Sequence, residues 1–261
     1  MAGIFFRRDV VNQNGNVIIF TYWWSKVIPV VADLPVGNNF HDHCAAFVPF
    51  TLGPGIPTVK QKLTYPQNIQ EYIDRRTGPL ASAEFISTVA FLNSSPVSPT
   101  VDFPDYQLYF AEISNDIPEK RTDLKPEIYK AVFGPYENWP LFACISQHLQ
   151  PKSRGTVRLK STNPYDSPAI DPNYFENPED LKVTVEGMKT CQKIMMLDPM
   201  QKVGAKPFET LFPGCEQFFG NEDLYFTCLA RGAVITLSHQ VGTAKMGDPR
   251  DPTTVVDPLL R

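Results

Sequence analysis

The order of apolar and polar residues predicts several short strands. Apolar Val157 and Leu159 alternate with basic residues, the period of two expected of a half-exposed strand. Strand-like patterns occur in three stretches: 106–113, 141–150 and 153–161. The region between the first two is rich in proline, so we expect it to be irregular.

A helical repeat with clear end signals predicts one long helix. Asn177 is a good N-cap, Pro178 suits the first helical position, and acidic residues follow. The apolar residues that share one face of this helix are Leu181, Val185, Met188, Cys191 and Met195.

Shorter helices are predicted from Pro66 to Arg76 and over residues 222–231 after Asn221. The polar stretch 12–16 predicts the turn of a hairpin. Strands and helices do not alternate regularly, which speaks against a Rossmann sheet. The pattern predicts an α+β fold, with an antiparallel sheet flanked by helices.

The bulk composition excludes several classes of protein. Hydrophobic residues make up 43% of the 261, charged residues 20%, and the formal net charge is -4, which is typical of a globular chain. Because no basic run is present, we expect no nucleic-acid partner. The longest apolar run, at 17–24, is too short for a membrane span, and the first residues do not resemble a signal peptide.

The five cysteines are Cys44, Cys144, Cys191, Cys215 and Cys228. No Cys-x-x-Cys pair occurs, so neither a zinc knuckle nor a dithiol redox motif is indicated. One or two disulfides remain open, with buried thiols as the default interpretation.

Three of the four histidines have a structural explanation. His41 and His43 flank Asp42, but no further ligand stands at a recognised spacing, so we predict polar loop residues and no metal site. His148 lies in an apolar strand-like run and is predicted to be a structural histidine whose ring is satisfied by hydrogen bonds.

His239 differs because of its neighbours. It follows the apolar run 233–237, expected to be buried, and precedes Gly242, where the backbone can turn sharply. A neutral imidazole in that place can serve as a general base, and a core or loop histidine is the alternative. Dinucleotide-binding Gly-x-Gly-x-x-Gly, P-loop, His-Glu-x-x-His and Gly-x-Ser-x-Gly motifs do not occur.

The stretch SHQVGTAKMGDPRDPTTVVDPLLR (238–261) resembles the C-terminal signature of the glucose–methanol–choline (GMC) oxidoreductases. Its His-x-Val-Gly-Thr, Met-Gly, Val-Val-Asp and Leu-Arg groups stand in the family order. Further stretches similar to the family are VADLPVGNNFHDH (31–43), GPLASAEFISTVAFLNS (78–94) and SRGTVRLKSTNPYDSPAIDPNYF (153–175). The stretches resemble an animal glucose-dehydrogenase-like branch of that family.

The resemblance implies an FAD-dependent oxidation of an alcohol or sugar, with oxygen or a quinone as the electron acceptor. It implies that His239 takes the hydroxyl proton while hydride passes to the flavin. It places His43 in the substrate pocket. The residues implied to lie beside the cofactor are Val241, Gly242, Thr243 and Arg261.

The same resemblance predicts a domain plan. Residues 29–231 correspond to the substrate-binding domain, 232–261 begin the return to an incomplete FAD-binding domain, and 1–28 are unassigned. Gln240 replaces the usual proline, the glycine-rich fingerprint is missing, and the second active-site residue would follow Arg261. We therefore expect a truncated chain. The alternatives are a non-catalytic substrate-domain module that cannot retain FAD, and an unrelated α+β protein.

Overall fold

The structure is a computed structural model that describes residues 32–82, 86–95, 103–113 and 124–261. Contacts divide these residues into two compact units. Unit 1 comprises the described residues up to His43 with Pro151–Asn177 and Ser238–Arg261, and unit 2 comprises Cys44–Gln150 and Pro178–Leu237. The predicted turn at 12–16 and the unassigned segment 1–28 lie outside the described residues.

Antiparallel strands form the framework of both units. The strands are β1 (Cys44–Thr51), β2 (Ile86–Leu92), β3 (Tyr106–Ile113), β4 (Leu141–His148), β5 (Thr156–Arg158), β6 (Ala169–Asp171), β7 (Lys206–Pro207) and β8 (Ile235–Thr236). In unit 2 the described strands pair in the order β2-β3-β4-β1-β7, and β8 also pairs with β1. In unit 1, β5 pairs with β6.

The described α-helices are α1 (Val59–Thr64), α2 (Pro66–Arg75), α3 (Pro126–Phe133), α4 (Pro178–Met195), α5 (Asp198–Lys202) and α6 (Glu222–Gly232). Among them, none combines the length and the apolar content needed to cross a membrane. The predicted α+β class, an antiparallel sheet flanked by helices, is confirmed.

Helix α4 packs closely on the sheet of unit 2. All five apolar residues predicted to share its inner face are buried. A Cβ added at Gly187 would lie 2.0 Å from the Oγ of Ser146 in β4, so only a glycine permits this approach. The same Oγ donates a hydrogen bond to the Thr184 carbonyl at 2.9 Å.

Several local predictions are confirmed and two are wrong. Helix α2 ends at Arg75, and the side chain of Asn221 caps α6 by accepting from the Leu224 N–H. Helix α3 lies in the region expected to be irregular. Its proline, Pro126, occupies the first turn, where proline is tolerated, and therefore does not prevent the helix. Strand β5 ends before Leu159, which is 47% exposed and does not continue the predicted alternation.

Four of the five cysteines form disulfides, so the default interpretation as buried thiols is wrong for them. Cys144 in β4 is bonded to Cys191 in α4, and Cys215 is bonded to Cys228 in α6. Cys44 is a free, buried thiol. Both bonds lie within unit 2 and tie a helix to another segment.

The two disulfides should contribute unequally to stability. We expect Cys144→Ala/Cys191→Ala to lower the free energy of unfolding by about 4 kcal/mol and Cys215→Ala/Cys228→Ala by about 3 kcal/mol. The first bond closes the longer loop, with a sequence separation of 47 against 13. Urea denaturation of the two double variants measures the difference, and a reversed order would contradict the loop-length explanation.

Candidate active site

Two imidazole rings of unit 1 lie nitrogen to nitrogen. The Nδ1 atoms of His43 and His239 are 3.1 Å apart, although the residues are 196 positions apart in the sequence. Their planes meet at 78°, with ring centroids 5.3 Å apart. One Nδ1 must donate while the other accepts, so the pair holds at most one imidazolium while this bond persists. His239 is exposed and His43 is half-buried.

The carboxylate of Asp42 fixes the backbone next to this pair. Asp42 is only 2% exposed. Its Oδ1 accepts the backbone N–H of His239 at 3.0 Å, and its Oδ2 accepts the hydroxyl of Tyr174 at 2.6 Å. Sequence reasoning assigned no role to either residue. The sequence offered one signal, an acidic side chain inside a stretch that leads into a strand. If such a carboxylate is buried, it needs hydrogen-bond donors.

The turn after His239 depends on a glycine. Val241 and His41 form an antiparallel bridge, with N–H to carbonyl distances of 2.9 and 3.0 Å. Gly242 has a φ of +98°, and a Cβ there would lie 2.3 Å from the Asn39 carbonyl oxygen. A side chain at this position would therefore both strain the backbone and clash with it.

The structure places the other residues predicted to lie beside a cofactor on the same C-terminal stretch. Val241 is 56% exposed, and the carbonyl of Thr243 accepts the Gly37 N–H at 2.9 Å. Arg261 donates from Nε and Nη2 to the Asp257 carboxylate at 3.0 and 2.9 Å. The backbone N–H of Arg261, joined by its guanidinium, lowers the pKa of Asp257 from its usual value.

The remaining histidines lie elsewhere. His41 places its Nδ1 2.8 Å from the Asn39 carbonyl oxygen. His148 is buried in unit 2, with its Nδ1 3.8 Å from Asp180. Within the described ranges no group of three or more His, Cys, Asp or Glu side chains is arranged to hold a metal ion.

One expectation about the run before His239 is wrong. In 233–237 only Ala233 is buried, whereas Thr236 is exposed and the others are half-buried. Within this run, Ile235–Thr236 form the two-residue strand β8, which pairs with β1.

A separate cavity of about 380 Å³ lies within unit 2. It is lined mainly by aromatic and aliphatic side chains, among them Phe47, Phe208, Phe212, Tyr225 and Phe226. None of the predicted site residues lines it, so it adds no chemistry to the histidine pair.

Comparison with known proteins gives a consistent result. The family model described as GMC oxidoreductase matches residues 151–261. Glucose dehydrogenase (FAD, quinone) of Drosophila melanogaster is 30% identical over 235 residues, covering 90% of this chain and 36% of that protein. Alcohol dehydrogenase (acceptor) of Pseudomonas putida is 35% identical over 242 residues, covering 90% and 38%. The chain thus spans somewhat more than a third of the length of these relatives.

Solved structures share the fold. A formate oxidase superposes with a TM-score of 0.65 at 20% identity, covering 89% of this chain and 41% of that chain. An FAD-dependent oxidoreductase from Chaetomium thermophilum superposes with a TM-score of 0.60 at 22% identity, covering 88% and 42%.

The glycine in the turn after His239 provides a direct test of this geometry. Gly242→Ala should lower the free energy of unfolding by about 3 kcal/mol, because it adds a clash to an unfavourable left-handed backbone. Gly214→Ala is the matched control: Gly214 has a φ of +89° but no atom within 4 Å of an added Cβ. That variant should lose only about 1 kcal/mol. Equal losses in urea denaturation would show that the close contact at Gly242 contributes nothing.

Proposed function

Because the chain belongs to the GMC oxidoreductase family, we propose that it supplies the base and the substrate side of an FAD-dependent enzyme. The reaction is oxidation of the CH–OH group of an alcohol or sugar. One observation carries the proposal. His239, the histidine of the His-x-Val-Gly-Thr turn, is an exposed imidazole held against a second imidazole, His43.

The named relatives support the substrate class and the acceptor. Glucose dehydrogenase (FAD, quinone) and alcohol dehydrogenase (acceptor) carry the donor and the acceptor in their names. By analogy, an alcohol or sugar is the donor here and a quinone or oxygen is the final acceptor. In this proposal residues 29–231 form the substrate-binding domain, 232–261 begin the return to the FAD domain, and 1–28 stay unassigned.

His239 is proposed to take the hydroxyl proton of the alcohol. With its Nδ1 directed at the Nδ1 of His43, its Nε2 is the ring nitrogen that receives the proton. The resulting imidazolium carries an N–H on both nitrogens, and a neutral His43 accepts the one on Nδ1. Removal of the proton leaves an alkoxide, whose carbon can then release its hydrogen with the bonding electron pair.

FAD, when bound, supplies the acceptor for that hydrogen and its electron pair. The residues present fit such a group: the turn at Val241, Gly242 and Thr243 carries no bulky charged side chain, and Val241 is well exposed. Arg261 adds a guanidinium, two of whose N–H groups bind the Asp257 carboxylate, and its other N–H groups would be hydrogen-bond donors for the cofactor. These four residues would hold the cofactor, and His43 would line the substrate side.

The first test replaces the base. In a holoenzyme that retains FAD, His239→Ala should slow flavin reduction by the alcohol by about 100-fold or more, because the hydroxyl proton loses its acceptor while FAD stays bound. His43→Ala should slow reduction less. The control is His41→Ala, since the His41 ring bonds to the Asn39 carbonyl instead. Stopped-flow absorbance measures the rates, and an unchanged rate in His239→Ala would remove this residue from the role.

A second candidate function is a non-catalytic module, and one observation favours it. The 261 residues contain no Gly-x-Gly-x-x-Gly turn, the usual site for the pyrophosphate of a dinucleotide. We therefore expect these residues alone to lose FAD on desalting, leaving no flavin band in the visible spectrum. A band that survives desalting would favour the catalytic function for this chain by itself.

A further inference from the structure

We propose that Asp42 is a positioning residue for His239. Its buried carboxylate, oriented by the Tyr174 hydroxyl, holds the backbone of His239 so that the imidazole keeps one place against His43. The inference rests on the proposed function, because it concerns the base named there.

The first support is the combination of burial and hydrogen bonding at Asp42. Burying a carboxylate is costly unless donors replace water. Two donors reach it from segments far away in the sequence: the His239 N–H, 197 residues away, and the Tyr174 hydroxyl, 132 residues away. Hydrogen bonds to an ionised acceptor are about twice as strong as neutral ones. The carboxylate therefore ties three segments of unit 1 at one point.

The second support is the backbone just before His239. Ser238 has a φ of +62°, a left-handed conformation that a residue with a side chain seldom adopts. Such a conformation persists only where the surroundings hold it. The N–H that Asp42 accepts belongs to the peptide group joining Ser238 to His239. The bond thus fixes the orientation of the peptide from which the His239 side chain departs.

The third support is that Asp42 is linked to both histidines. Asp42 directly precedes His43 in the chain, and its Oδ1 binds the backbone of His239. On the far side of His239, the bridge between His41 and Val241 closes the loop. The two imidazoles are therefore set by one local framework, which accounts for their 3.1 Å separation.

Tyr174 acts on the carboxylate rather than on the rings. Its hydroxyl donates to Oδ2 at 2.6 Å, which leaves Oδ1 directed at the His239 N–H. Its neighbours Asn173 and Phe175 both have positive φ values, of 52° and 61°. The Asn173 side chain also donates to the Arg154 carbonyl at 3.0 Å, which fixes the segment that presents Tyr174.

Nuclear magnetic resonance of the 261-residue chain tests the inference without FAD. In Asp42→Ala we expect the His239 amide to exchange about tenfold faster or more, because it loses a charged acceptor. The ring nitrogen signals of His43 and His239 should shift in the same variant. Asp42→Asn should restore much of the protection, since its amide oxygen can accept the same N–H. Tyr174→Phe should give a smaller change of the same kind.

Asp180→Ala is the matched control. Asp180 is also a buried aspartate beside a histidine, but it lies in unit 2. The Asp180→Ala variant should have a lower free energy of unfolding, while hydrogen exchange of the His239 amide stays unchanged. Unchanged His239 signals in Asp42→Ala, or equal changes in Asp180→Ala, would overturn the positioning role.

Flavin reduction in a holoenzyme that retains FAD separates this inference from the proposed function. We expect Asp42→Ala to lower the maximal reduction rate more than it raises the alcohol concentration needed for half-maximal rate, with recovery in Asp42→Asn. One outcome is that the magnetic resonance changes occur while flavin reduction is normal in both Asp42→Ala and His239→Ala. In that case the positioning role of Asp42 stands, and the assignment of His239 as the base fails.

Discussion

A carboxylate that is almost completely buried must be surrounded by hydrogen-bond donors, and this requirement organises the candidate site. Asp42 obtains its donors from the Tyr174 hydroxyl and from the His239 backbone. Satisfying one side chain therefore brings together segments that are 132 and 197 residues away in the sequence. These buried hydrogen bonds hold the backbone of His239, although the His239 ring is itself exposed.

Local sequence signals were sufficient for the elements that stabilise themselves through neighbours in the chain. Helix α4 carries its cap signal, its early proline and its apolar face within 19 consecutive residues, 177–195, and it formed as predicted. The sequence was misleading where one residue type has two uses. Pro126 starts α3 instead of marking a loop. The disulfide partners could not be paired from spacing, because pairing depends on how α4 lies on β4.

The candidate site was predictable only in part, for a similar reason. His239 stood out from its glycine turn and from the family resemblance, and the same resemblance indicated His43. Their separation of 3.1 Å is set by tertiary contacts, which no local pattern encodes. The role of Asp42 was hidden because a lone acidic residue between histidines is equally typical of a solvated loop. Tyr174 sits in an irregular stretch, and only the fold brings its hydroxyl to Asp42.

The contrast with His148 shows why the histidine pair is better explained by chemistry than by stability. His148 and Asp180 are both buried, and each can contribute to the packing and polar network of unit 2. His239 is exposed, so its ring gains little from burial. Its position nevertheless requires a left-handed Ser238, an obligatory Gly242 and a buried carboxylate. Backbone strain kept at a solvent-accessible imidazole is typical of a functional site, which supports the proposal that His239 accepts the hydroxyl proton of an alcohol.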